Sequence, residues 1–155
     1  MNIRTLANSL ANKYQTRNPF KLCDELDYLV LHVPLVKIRG FYQYVKRCHI
    51  IYINNNLDER EAAFVCAHEI GHSLLHKGIN HFFMDKHTHF VTSRYEIEAN
   101  KFAVDLLFDD YDLQELLERP ITTVAECLGV SVQVAEYRMR AVPPSLFPGL
   151  QEGCL

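Results

Sequence analysis

Apolar residues at Ile3, Leu6, Ala7, Leu10, Ala11 and Tyr14 recur three and four positions apart, which predicts an amphipathic helix ending before Asn18-Pro19. Pro19 opens a second short helix to Leu26, since the N–H that proline lacks is one that a first helical turn leaves unpaired. From Tyr28 to Ile53 the pattern changes to β-branched and aromatic residues, in YLVLHVPLV, GFYQYVK and CHIIYIN, broken by Gly40 and by Lys46-Arg47. Two or three antiparallel strands are expected. Pro34 cannot donate to a ladder, so the first strand belongs at an edge or is bulged there.

Asn54-Asn55-Asn56 closes the last strand, and Asp58 with Glu61 three residues on forms a capping-box pattern for a helix from Glu59 to His76 or Lys77, stopped at Gly78. Ala62, Phe64, Val65, Cys66, Ala67, Ile70, Leu74 and Leu75 make that helix apolar on nearly all sides, the pattern of a helix at the centre of a domain. Residues 78–93 show no period and read as a long loop before another helix, Arg94 to Phe108. TTVAECLGVSVQVAEYRMRAV reads as helix, turn at Gly129-Val130-Ser131, helix. The expected class is α+β, with a small antiparallel sheet packed on the central helix and a helical C-terminal part. One domain is expected over 1–142, its helix-turn-helix-like segment 121–140 packed on the rest, with 143–155 an extended tail.

Composition narrows the function. Hydrophobic residues make up 48% of the 155, enough for a core, yet no run reaches the roughly 18 apolar residues of a spanning helix, so no membrane partner is expected. Arg4, Asn8, Asn12 and Lys13 occupy the stretch where a signal peptide would carry its apolar core, and the expectation is a cytoplasmic protein. A net charge of -3 gives no general attraction to phosphate, so direct nucleic-acid binding is not expected. Five cysteines without a CxxC pair suggest neither a disulfide framework nor a thiolate zinc site. The histidines are different: six of the eight lie between His68 and His89.

His68-Glu69-Ile70-Gly71-His72 is an HExxH pattern inside the central helix. Residues four apart share a helix face, so both imidazoles can reach one zinc ion, with Glu69 beside it to take a proton from water. Two buried histidines spaced by accident would give the same string, but the capped apolar helix around them favours the metal. A third ligand should come from elsewhere. His76 lies about 12 Å along the axis from His68, too far to share a metal, and reads as a helix C-terminal residue favoured by the dipole. In YEIEAN, Glu96 and Asn100 share a face while Glu98 points about 160° away from Glu96. Glu96 is favoured as ligand over Glu98 and over His81, His87 and His89, with Asn100 placed to hydrogen-bond a metal-holding histidine.

HEIGHSLLH followed by YEIEANKFAVDLL resembles the ImmA/IrrE metallopeptidases of bacteria, their phages and mobile elements. The resemblance implies a zincin-like, gluzincin-type fold and a zinc-dependent endopeptidase in which His68, His72 and Glu96 hold Zn2+ and Glu69 is the catalytic base. In gluzincin-like enzymes the third ligand opens an ExxxD-type segment, which maps onto Glu96 with Asn100 in the aspartate position. It further implies a protein substrate, a helix-turn-helix repressor, whose cleavage derepresses phage, mobile-element or stress genes, the action of an anti-repressor. Tyr95, His87 and His89 are candidates for stabilising the transition state, and the strand Cys48 to Ile53 for pairing with an extended substrate. A competing reading is a transcriptional regulator with a non-catalytic zinc, reading DNA through Gln133, Glu136, Tyr137, Arg138 and Arg140.

Overall fold

The computed structural model describes residues 2–78 and 89–144, with residues 89–93 described by their backbone alone. The chain divides into two compact units, 1–107 and 108–155. The first contains α1 (Ile3–Tyr14), α2 (Pro19–Glu25), β1 (Tyr28–Val33), β2 (Gly40–Val45), β3 (Cys48–Asn54), α3 (Glu59–Leu75) and α4 (His89–Leu107). The second contains α5 (Asp110–Leu113), a 3-10 turn (Gln114–Leu116), α6 (Ile121–Leu128) and α7 (Val132–Arg140). The class is α+β, as the chain's patterning predicts. No helix among the described residues is long and apolar enough to cross a membrane.

Local chemistry sets the helix starts. Asn2, Asn18, Asp58 and Ser131 each accept a backbone N–H of the following first turn, which satisfies donors the helix itself leaves open. α3 ends one residue earlier than expected, with His76 as its C-cap, and Gly78 then takes the left-handed φ of 79°. α4 begins five residues before the expected Arg94. Its last turn is held from outside, because the Arg17 guanidinium donates to the carbonyls of Asp105 and Leu106, each at 3.0 Å, and to Asn8 Oδ1 at 2.9 Å. A cation on the last carbonyls of a helix satisfies orphan acceptors and favours the dipole.

The sheet corrects the antiparallel expectation. Its order is β1-β3-β2, with β3 antiparallel to β2 and parallel to β1. β2 and β3 form a hairpin through Lys46 and Arg47, both at positive φ (49° and 65°) as a tight hairpin turn demands. β1 does not join β2 but passes beyond it, because residues 34–39 are anchored across the end of β3. Asn54 is buried, and its amide donates to the carbonyls of Leu35 at 2.9 Å and Ile38 at 3.1 Å. β1 is accordingly an edge strand that ends at Val33, before Pro34. β3, with Ile51 and Ile53 fully buried, is the central strand with both edges paired, so it cannot accept a further strand. The expectation that Cys48 to Ile53 offers an edge to substrate is overturned.

β2 and β3 pack on α3, and α3 crosses α4, with Cys66, Ala67, Ile70, Phe102, Ala103 and Leu106 in the shared core. In the second unit, Val124, Leu128 and Ala135 pack with Leu113. Arg138 is only 2% exposed there, donating to the Phe108 carbonyl at 2.7 Å and to Asp110 Oδ1 at 2.8 Å. It is a structural cation, which removes it from the DNA-reading surface that the sequence suggests. The tail beyond Pro144 lies outside the described residues.

Gly40 stands where β2 passes closest to α3 and β3. A Cβ there would lie 2.6 Å from the Tyr52 carbonyl oxygen, a backbone atom that cannot rotate away. Gly40→Ala is expected to destabilise the protein by about 1–3 kcal/mol, read from urea unfolding; an unchanged midpoint would contradict the close approach.

Candidate metal centre

α3 carries the first two residues of the centre. His68 and His72 are one turn apart, and their Nε2 atoms lie 3.0 Å from each other. α4 brings Glu96 across both: one carboxylate oxygen is 3.1 Å from His68 Nε2 and the other 3.1 Å from His72 Nε2. Of the described residues, these three form the group whose donor atoms converge closely enough to hold a metal ion. A tetrahedral zinc with bonds of about 2.0–2.1 Å keeps its ligand atoms about 3.3–3.4 Å apart, so the observed separations fit such an ion after a small expansion.

The imidazoles are oriented from behind. Asn100 Oδ1 lies 2.8 Å from His68 Nδ1 and so accepts its N–H, leaving the Nε2 lone pair to face His72 and Glu96. His72 is braced by His76, Nδ1 to Nδ1 at 2.9 Å, and His76 Nε2 reaches Glu98 Oε2 at 2.9 Å. Arg94 Nε donates to the other Glu98 oxygen at 3.0 Å. Glu98, on a different face of α4 from Glu96, thus reaches the C-terminal end of α3, one helical turn beyond His72.

Glu69 is buried between α3 and the sheet, and its Oε2 has no hydrogen-bond partner among the described residues. Burial, with the charge of Glu96, pushes its carboxyl up to about 7 against the opposing His68 charge and a hydrogen bond from the Tyr42 backbone. Burial works likewise against ionised Glu96, but when the rings of His68 and His72 are protonated on Nε2 as well as Nδ1 their hydrogen bonds to it outweigh that and hold it well below the usual carboxylate range. Burial opposes the charged form of His68 too, yet hydrogen bonding to Glu96 and the charges of Glu69 and Glu96 raise its pKa. At His76 burial wins over Glu98, and the pKa is lowered.

A cleft of about 410 Å³ opens onto these groups, walled by Ile38, Arg39, Gly40 and Phe41 on one side and by Phe64, His68, Glu69, Glu96 and Asn100 on the other. A larger hollow of about 770 Å³, lined by Tyr28, Tyr42, His49, His76 and Lys77 among others, includes none of His68, His72 and Glu96. Tyr95 packs its ring on His76 with centroids 4.4 Å apart. His81 and His87 lie outside the described residues, and His89 is placed only as the first backbone position of α4. Sequence spacing singles out His68, Glu69, His72, Glu96 and Asn100 and gives His76 only the role of a helix end. The continued four-residue spacing, His68, His72, His76, was the signal available for it.

Two helix-borne histidines and a carboxylate, converging beside a buried glutamate, are the kind of site that metal-dependent hydrolases use. The chain belongs to the Peptidase_M78 family, the IrrE N-terminal-like domain, which it matches over residues 23–140. It is 38% identical over 139 residues to uncharacterized immunity region protein 2 of Bacillus phage phi105, covering 88% of each chain. It is 32% identical over 117 residues to metallopeptidase ImmA of Bacillus subtilis strain 168, covering 74% of this chain and 68% of that one.

A carboxyl with a folded pKa near 7 against an ordinary 4.5 favours the fold below pH 4.5, and that contribution is lost as pH rises through 7. In the presence of chelator, wild-type stability relative to Glu69→Gln is expected to fall between about pH 5 and pH 8. Urea unfolding of both proteins at the two pH values measures it, and parallel pH dependences would show that Glu69 is not desolvated as described.

Proposed function

We propose that the chain is a zinc metallo-endopeptidase of zincin-like, gluzincin-type architecture, acting in the cytoplasm on a helix-turn-helix transcriptional repressor. Cutting that repressor, or promoting its cutting, derepresses phage, mobile-element or stress genes. The observation that carries the reading is the convergence of His68, His72 and Glu96 within 3.1 Å of one another beside the buried Glu69. Membership of a metallopeptidase family supports the chemistry, and the names of the two relatives, an immunity region protein and a metallopeptidase, support the setting.

Two imidazole nitrogens and one carboxylate are a donor set that suits zinc and leaves one tetrahedral position open. Bound there, zinc supplies Lewis-acid polarisation of a peptide carbonyl and acidifies water. The chain's own residues do the rest. Glu69, buried with its Oε2 unpartnered among the described residues, takes the proton of the attacking water and delivers it to the leaving amine nitrogen. A carboxyl poised near neutrality is suited to both transfers. β2, the edge strand whose Gly40 and Phe41 wall the cleft, is the strand that an extended substrate segment pairs with.

Two outcomes are expected. Stoichiometric zinc should raise the thermal midpoint, by about 2.7 kcal/mol of stability at a hundredfold excess over the dissociation constant. His68→Ala should show no such shift, and an equal shift in both proteins would place the metal elsewhere. Co-expression with a helix-turn-helix repressor from the same source should yield repressor fragments by intact mass. Glu69→Gln should abolish them while retaining zinc; fragments that persist with Glu69→Gln would refute the assigned base, and an uncut repressor with the wild type would refute the assigned substrate.

A further inference from the structure

We infer that His76 and Glu98 form a positioning relay that fixes the tautomer and ring orientation of His72, an inference that rests on the reading of His72 as a metal ligand. The polarity of the hydrogen bonds runs in one direction. Glu98 accepts from Arg94 Nε at 3.0 Å on one oxygen and from His76 Nε2 at 2.9 Å on the other. With its proton on Nε2, neutral His76 presents a bare Nδ1, 2.9 Å from His72 Nδ1. His72 must then carry its proton on Nδ1, so its Nε2 lone pair faces His68 Nε2 and Glu96. The opposite tautomer would aim an N–H at the site where an ion is to be held.

Burial makes the arrangement rigid. His72 is 1% and His76 5% exposed, so neither ring finds water as a substitute partner. The Tyr95 ring, 4.4 Å from that of His76 between centroids, covers it further. His76 reaches this place because it is the C-cap of α3, with φ -120° and ψ 46°, rather than a helical residue stacked one turn above His72. The two histidines of HExxH are thus braced differently: His68 by the neutral amide oxygen of Asn100, His72 by a histidine backed by a carboxylate. A carboxylate behind an imidazole makes it a stronger donor, and loss of such a partner typically weakens metal binding about 10–100-fold.

The test is zinc affinity by competition with a chromophoric chelator, together with the visible absorption of the Co2+-loaded protein, which reports ligand geometry independently of turnover. His76→Leu is expected to lose about 10–100-fold in zinc affinity and to alter the Co2+ bands. His76→Asn, whose amide oxygen can take the place of Nδ1, should recover most of both, and Glu98→Gln should fall between Asn and Leu. Chelator-treated His76→Leu is compared with wild type by urea unfolding, and if that variant does not fold the ordering of His76→Asn and Glu98→Gln against wild type decides. Wild-type affinity and spectrum in His76→Leu, or in both other variants, overturn the relay while loss of binding in His68→Ala keeps the metal site standing. Undiminished zinc binding in His68→Ala would instead overturn the site on which the relay rests.

Discussion

The crossing of α3 and α4 is the constraint from which the rest follows. α3 runs through the core, yet Glu69, His72, Ser73 and His76 on it are all buried, and a buried polar group without a partner is costly. α4 supplies partners for the histidines from one stretch of five residues: Glu96 for His68 and His72, Glu98 for His76, Asn100 for His68. Packing the helices and assembling the site are therefore one event. Gly71, between the two HExxH histidines, makes the approach close enough, since a Cβ there would stand 3.1 Å from the Phe102 ring and 3.3 Å from the Ala99 Cα. The loss of helix propensity from a mid-helix glycine, about 1 kcal/mol, is the cost of that proximity.

What was legible in the sequence was what local spacing encodes. The four-residue repeat in HExxH and the four-residue step from Glu96 to Asn100 each place two side chains on one helix face whatever the tertiary fold. Caps at Asp58 and Ser131 are equally local, and both helices start where these residues say. The illegible parts depend on how elements meet. Parallel pairing of β1 with β3 follows from where Asn54 ties down the connection, and a run of three asparagines reads only as a strand end. His76 and Glu98 find each other because α3 stops and turns at the first while α4 passes close by. A helical wheel for α4 alone turns Glu98 away from Glu96, and nothing local to either segment says that the two will meet.

Charged residues show the same limit from the other side. By sequence Arg138 is a candidate for reading DNA, and nothing local gives Arg17 a role. In the fold each is spent on backbone carbonyls, Arg17 on the last turn of α4 and Arg138 on the Phe108 carbonyl at the start of the second unit. A guanidinium carries several donors in a fixed plane, which lets one side chain satisfy two or three acceptors at a helix end. With Arg138 internal, the exposed part of α7 presents Gln133, Glu136 and Arg140, a surface without net positive charge. That weighs against a groove-reading helix and leaves the cleft on the first unit as the place where function is to be sought.

Within that cleft Glu69 is set apart from its neighbours on α3. Each of the site's histidines has both ring nitrogens engaged, whereas Glu69 keeps one buried oxygen without a partner among the described residues. Leaving such an atom unpaired costs about 1–3 kcal/mol, and a carboxylate meant only to hold the fold together would be expected to find a donor in a core so well supplied with N–H groups. A general base has the opposite requirement: its reacting oxygen must stay open to a water proton, in surroundings dry enough to raise its affinity for that proton. His68 and His72 are each braced from behind, and the carboxylate beside them is desolvated but left unsatisfied among the described residues. Braced imidazoles around one reactive, unfulfilled oxygen are the division of labour that the proposed hydrolysis needs.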